Sequence, residues 1–287
     1  MLNALITSLS TLACRLSDRQ LQLISAAAAG LIYRLYRLSP QRDFIRDNIQ
    51  AALPLACRAA NQLAARHLHY LLESILILLR FPRFLNGQLP VAWRVEGYHH
   101  FLRAYHRGQG VLLVSAHFGC WELFPALLGL GGFPVSVVVQ RPSVTAFDQL
   151  FTRSRALTGV ETCYNDTLSG LRPVLRTLKQ GGVVGLLFDQ HGESQSLIGS
   201  FFGHQVSFPE GPFFLSQRTG AAVVPVYTWR SQNHHHIRFW PALPPAESAQ
   251  TLMQQLYQQL EDLIRQYPEE WLWSYNRWDK YSSCSTD

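Results

Sequence analysis

The sequence predicts an α/β fold: a single domain with a mostly parallel central sheet flanked by helices, preceded by N-terminal helices. Three observations predict it. Residues 111–115, 134–139 and 183–188 form short apolar runs rich in branched side chains, the pattern of strands buried on both faces. Helix-period segments separate these runs, as in units that return the chain to a parallel neighbour. The 287 residues suffice for one sizeable domain of this class.

The elements follow in order. Residues 2–16 are mildly apolar, with no strongly basic start and no cleavable signal pattern. Residues 21–38 carry a longer apolar stretch ending in Tyr33, Arg34, Tyr36 and Arg37. It falls short of the roughly 20 apolar residues that cross a bilayer. It fits a helix lying in a membrane interface, with those four residues at headgroup level, or one docked on the domain. Residues 1–40 are therefore read as a membrane-associating helical segment, and 41–287 as the main domain. Residues 41–52 and 59–80 read as helices, the second stopped by Pro82, Gly87 and Pro90. Residues 91–96 alternate like a strand, and 98–107 form a helix. Beyond residue 122 the pattern is helix, strand 134–139, helices 146–157 and 168–179, and strand 183–188. A helix over 210–220, a strand over 222–227, an edge strand over 236–240 and a helix over 251–266 complete it.

Composition narrows the function. Hydrophobic residues make up 47% of the chain and charged residues 15%, with a formal charge of +6. A basic, apolar chain suits an anionic membrane surface or an acidic carrier protein. No dense Lys/Arg patch with interleaved aromatics points to nucleic acid. The five cysteines are scattered without a Cys-x-x-Cys pair, which argues against a disulfide framework or a zinc site and for a reducing compartment. His234, His235 and His236 read as an exposed turn, and no metal site is expected.

The chemistry concentrates after residue 111. The run Val111-Leu112-Leu113-Val114-Ser115-Ala116 ends at His117, and Glu122 follows five residues later. A histidine at a strand end stands where open α/β sheets place their chemistry, and imidazole can take a proton from an alcohol near neutral pH. A nearby carboxylate can fix its tautomer, and Glu122 is the candidate. Cys120 lies between them and reads as an apolar filler. Other polar groups fall at strand ends or on the next helix: Arg141, Arg153, Arg155, Asp189, Gln190 and Gly192. Arginines there can clamp a phosphate or an oxyanion, and Asp189 can position an arginine or a substrate hydroxyl.

The ordered set His117/Glu122, Arg141-Pro142, Arg153/Arg155, Lys179 to Gly182, Asp189 to Gly192, Gly220 to Pro225 and Trp271/Trp273/Arg277/Trp278 resembles the bacterial lipid A biosynthesis acyltransferases. Arg46-Asp47-Asn48-Ile49 looks like that family's N-terminal Arg-x-Asn-Leu segment. The late lauroyl and myristoyl transferases belong to it, within the wider lysophospholipid acyltransferase-like superfamily. The resemblance implies a peripheral or monotopic enzyme on the cytoplasmic face of the inner membrane. It implies transfer of an acyl chain from acyl carrier protein to a hydroxyl of a lipid A precursor. His117 would deprotonate that hydroxyl with Glu122 holding it. Arg155 or Arg153 would stabilise charge, and Arg141, Asp189, Gln190 and Gly192 would line the site. No cofactor beyond the acyl-carrier-protein co-substrate is implied. Relatives that acylate lipid A often carry Asp-Gln-Asp-Tyr-Gly, where this chain has His191 after Asp189-Gln190.

Three other readings stand beside it. The same chemistry can serve another glycolipid, a lysophospholipid or a secondary-metabolite lipid. A binding protein that kept the fold would not need His117 and Glu122 intact. An α/β hydrolase is disfavoured by the lack of a Gly-x-Ser-x-Gly elbow.

Overall fold

The computed structural model describes residues 2–142, 144–165, 168–191, 197–231 and 234–278. The chain opens with helices α1 (Leu2–Arg15), α2 (Asp18–Leu38), α3 (Phe44–Ala52) and α4 (Cys57–Leu79). Strand β1 (Trp93–Glu96) and helix α5 (Tyr98–Tyr105) lead to β2 (Val111–Ser115) and α6 (Leu123–Leu130). Then come β3 (Val135–Val139), α7 (Thr145–Leu157), β4 (Glu161–Tyr164), α8 (Leu168–Lys179) and β5 (Val183–Leu187). The hairpin β6 (Ile198–Phe201) and β7 (His204–Ser207) precedes α9 (Gly211–Thr219), β8 (Ala222–Ser231), β9 (His234–Phe239) and α10 (Ala249–Gln266).

The main sheet has seven strands in the order β1-β9-β8-β2-β5-β3-β4. All neighbours run parallel except β8 and β9. The α/β expectation holds. Two details differ. The segment expected at an edge, β9, lies inside the sheet between β1 and β8, because β8 runs ten residues and folds back on it. The three histidines are strand residues there, not a turn: His235 is buried and His236 stacks on Trp229. β4 and the β6–β7 hairpin had no sequence forecast. β4 is four residues with an exposed start, and the hairpin turn carries Phe202-Gly203, both at positive φ, in place of the usual Asn-Gly signal.

The pleat of β2 divides the core. Leu112 and Val114 join one apolar cluster with α3, α8 and α10, whereas Val111 and Leu113 join the other with α5, α6 and α7. Each such fully buried aliphatic side chain contributes about 1.5–3 kcal/mol. This two-faced burial makes β2 and its neighbour β5 the rigid centre of the molecule, and the site grows from their ends.

The first two helices pack on α4, with α1 also against α7. A capping box at Ser17 and Gln20 separates them, and Arg80 at the end of α4 donates to Asp18 at 2.7 Å. The tyrosines of α2 do not project outward as expected. Tyr33 donates to the Asn61 carbonyl, and the Tyr36 hydroxyl accepts from the Ile45 amide. Helical periodicity instead turns Leu31, Leu35 and Leu38 outward, and Leu5, Leu9 and Leu12 of α1 are exposed as well.

Past β2, Phe118 forms a bridge with Trp271, and Gly119 takes φ +62°. A Cβ at Gly119 would collide with the Thr228 carbonyl oxygen. Gly119→Ala should therefore lower stability by about 2–3 kcal/mol in urea unfolding. An unchanged midpoint would mean that this turn relaxes without cost.

Candidate active site

Parallel pairing of β2 with β5 sets Ser115 opposite Leu187. Two residues further along each chain stand His117 and Asp189, so the register itself brings them together. The Asp189 carboxylate accepts from the His117 amide at 3.1 and 3.0 Å and lies 2.8 Å from His117 Nδ1. It also accepts from Trp271 Nε1 at 2.9 Å. Asp189 is buried, which by itself would raise its pKa. The charge of His117 and the hydrogen bonds from His117 and Trp271 outweigh that and hold it below its usual value.

This geometry fixes a tautomer. A carboxylate on Nδ1 keeps the proton there and leaves the Nε2 lone pair to act as a base. The His117 side chain is 19% exposed, so a substrate can reach it. Trp121 stands edge-on to the ring at 5.0 Å. The C-terminal segment closes over the same turn: Leu272 N–H donates to the His117 carbonyl and Gly119 N–H to that of Glu270.

The expected partner of His117, Glu122, is elsewhere engaged. Arg155 takes both its oxygens, with Nε to Oε2 at 2.9 Å and Nη2 to Oε1 at 2.6 Å. The reason is local. Glu122 is the cap residue of α6, where a negative charge meets the positive end of the helix, and α7 presents Arg155 to it. Both side chains are buried, so the fork-to-fork pair ties α6 to α7. Burial opposes the Arg155 charge, but Glu122 beside it raises the Arg155 pKa overall.

The remaining predicted residues scatter. Arg141 lies over the Tyr164 ring at 3.8 Å and donates to Asp148 at 3.2 Å. Arg153 donates to Thr7 of α1 at 2.6 Å. These partners belong to α7, β4 and α1 rather than to His117 or Asp189. Gln190 is half-buried next to Asp189, and Gly192 lies outside the described residues. Cys120 is buried and its thiol pKa is pushed up by burial, which suits a filler. Among the described residues no group of three or more His, Cys, Asp or Glu could hold a metal ion.

Sequence reasoning missed how the C-terminal residues are used. The Asn276 carbonyl lies 2.9 Å from His191 Nε2, and Arg277 Nη1 is 3.1 Å from His191 Nδ1. The carbonyl can only accept and the guanidinium can only donate, so His191 is held as the neutral Nε2–H tautomer. It anchors the C-terminal segment. Trp271, Trp273 and Trp278 are buried in the core. Asn48 donates to the Trp273 and Tyr275 carbonyls, so α3 helps hold that segment in place.

The family model described as bacterial lipid A biosynthesis acyltransferase matches residues 5–280. The chain is similar to a phosphatidylinositol mannoside acyltransferase of Mycolicibacterium smegmatis, 25% identical over 67% of this chain and 64% of that protein. It is also similar to phosphatidylinositol mannoside acyltransferases of two Mycobacterium tuberculosis strains, each 25% identical over 62% of this chain and 57% of theirs. The match thus spans less than two thirds of the length of these relatives.

Two outcomes follow from the geometry. Glu122→Gln leaves Arg155 buried without its counter-charge, so urea unfolding should lose about 3–5 kcal/mol. A change under 1 kcal/mol would mean that the pair is not a structural tie. The depressed Asp189 pKa stabilises the fold above the ordinary value of 3.8, and this contribution fades as pH falls through the lower folded value. The stability gap between wild type and Asp189→Asn should therefore narrow below about pH 4, and a constant gap would remove the linkage.

Proposed function

The chain belongs to the bacterial lipid A biosynthesis acyltransferase family, and from that premise we propose that it moves a fatty acyl chain from an acyl-carrier-protein thioester to a hydroxyl of a lipid A precursor. One observation carries the reading: His117 at the end of β2, its Nδ1 on Asp189 and its Nε2 left for substrate. Nε2 takes the proton of the acceptor hydroxyl. The alkoxide oxygen attacks the thioester carbonyl, and the C–S bond breaks as the ester forms. The imidazolium then returns its proton to the departing thiolate. No acyl-enzyme is needed, and burial of Cys120 agrees with that. The reaction as written uses no metal or diffusible cofactor.

In this reading Asp189 is a positioning residue, and the Glu122–Arg155 pair holds the frame around His117. The charge of +6 suits both the acidic carrier protein and an anionic membrane surface. The outward leucines of α1 and α2 fit a membrane-surface role on the cytoplasmic face of the inner membrane. Among the described residues no helix is long and apolar enough to cross a membrane.

A second reading keeps the chemistry and changes the acceptor to another glycolipid. The similarity to phosphatidylinositol mannoside acyltransferases favours it. The test is acyl transfer in detergent from acyl-carrier-protein thioesters to a tetra-acylated lipid A precursor, and in parallel to a phosphatidylinositol mannoside. Wild type should transfer to one of them, His117→Ala should be silent, and Asp189→Asn should retain roughly 10⁻⁴ of the rate. Thioester consumption that ignores His117 would end the proposal.

A further inference from the structure

Trp271 fills the core as an apolar ring, yet its one polar atom is aimed at the centre of the site. The indole is 1% exposed and packs edge-on against Phe201, Trp273 and Trp278, with ring centroids 5.5, 4.7 and 5.8 Å away. Backbone pairing fixes where the residue stands. Trp271 bridges Phe118, Leu272 N–H donates to the His117 carbonyl, and Gly119 N–H donates to that of Glu270. Caged in this way, the ring directs Nε1–H to Asp189 Oδ2 at 2.9 Å. Packing alone would ask only for an aromatic ring at this position.

The two oxygens of Asp189 have separate tasks. Oδ1 faces the His117 ring, with Nδ1 at 2.8 Å, whereas Oδ2 takes the indole. The His117 amide lies 3.1 and 3.0 Å from the two. A carboxylate gripped at both oxygens is held against swinging about its Cβ–Cγ bond. The indole also shares the negative charge that would otherwise fall on Nδ1–H. With one donor fewer the carboxylate is more basic, holds Nδ1–H more tightly and stabilises the imidazolium.

We propose that Trp271 is a positioning residue of the acyl-transfer site: its N–H fixes the plane of the Asp189 carboxylate and tempers its charge, and thereby sets how tightly His117 holds the proton it takes. The inference rests on the acyl-transfer reading above and adds a third member to the pair that carries it.

The other titratable groups around this pair come from five elements. Tyr227 of β8, Tyr257 of α10 and Tyr275 feel the Asp189 charge, but burial, the largest influence on each, pushes their phenols up and keeps them protonated near neutral pH. Arg277 donates to Tyr257, and Arg155 of α7 holds Glu122. His67 and Tyr70 of α4, with Glu269 and Glu270, line a small pocket that His117 shares. Burial pushes His67 down to about 4 and Tyr70 up to about 12. Burial pushes Glu270 up to about 8, so each comparison below is repeated in a Glu270→Gln background.

The test removes the N–H and keeps a ring: Trp271→Phe. Trp273→Phe is the control, an equally buried indole whose Nε1 donates to the Pro268 carbonyl instead. Two readouts are taken against pH. One is kcat/KM for consumption of an acyl-carrier-protein thioester. The other needs no turnover: the rate at which diethyl pyrocarbonate, which attacks only neutral imidazole, modifies the His117 peptide. Trp271→Phe should move the ascending limb of both profiles up by about half to one pH unit, the order expected from losing one hydrogen bond to a charged group. At pH 7 kcat should fall about tenfold with KM little changed, and the gap should narrow as pH rises through the limb. Trp273→Phe should keep the wild-type limb. A limb that Trp271→Phe leaves in place, or that Trp273→Phe moves equally, overturns the proposal, whatever either variant costs in thermal stability. Should Trp271→Phe fail to fold by circular dichroism, benzothienylalanine at position 271 carries the same test, with sulfur in place of N–H in a ring of the same size. Thioester consumption that ignores His117 removes the acyl-transfer reading, and the modification profile then still decides whether Trp271 sets the hold of His117 on its proton.

Discussion

The Asp189 carboxylate is the constraint on which the site depends. It sits at the end of β5, buried, and collects N–H groups from the His117 backbone, the His117 ring and the Trp271 indole. A buried carboxylate is costly unless its hydrogen-bonding capacity is met, and these donors meet it. In return it joins three stretches far apart in sequence: the end of β2, the end of β5 and the C-terminal aromatic segment. Any drift of one would strand the charge, so the electrostatics of one residue enforce the geometry of all three.

Around that centre the polar residues divide into tasks. The Glu122–Arg155 pair carries full charges but spends them on each other, inside the core, where they brace α6 against α7. His191 and Arg277 brace the C-terminal segment, with Arg277 also donating to the Ser207 carbonyl and the Tyr257 hydroxyl at 2.7 Å each. These groups hold the frame, and His117 alone among them pairs a solvent-reachable ring with a buried orienting carboxylate. The leucines that α1 and α2 turn outward leave apolar side chains exposed on the same chain.

Much of the fold was legible from local signals. The unbroken apolar runs of β2, β3 and β5 marked strands buried on both faces; β2 is buried throughout, β5 but for its last residue, and β3 over Val135 to Val137. The long helices followed from apolar spacing and from stops such as Pro82 and Gly87. The shortfalls have physical causes. The hairpin turn at Phe202-Gly203 lacks the usual turn residues, and β4 is too short to show a period. Tyr33 and Tyr36 look like headgroup anchors by type, but their place on the helix turns them inward to bond α4 and α3.

For the site, residue order alone shows a histidine closing the central strand and acidic and basic groups at neighbouring strand ends. It also carried the ordered motifs that mark the family. Which carboxylate meets His117 was decided only in three dimensions. Local spacing favoured Glu122, five residues on. That spacing, however, puts Glu122 at the head of α6, where Arg155 claims it. Asp189 lies 72 residues beyond His117, and the two meet because β2 and β5 pair in parallel with Ser115 opposite Leu187. Strands separated by two others in sequence become neighbours only through the order of the sheet. That order is set by packing on both faces, which no short-range pattern encodes.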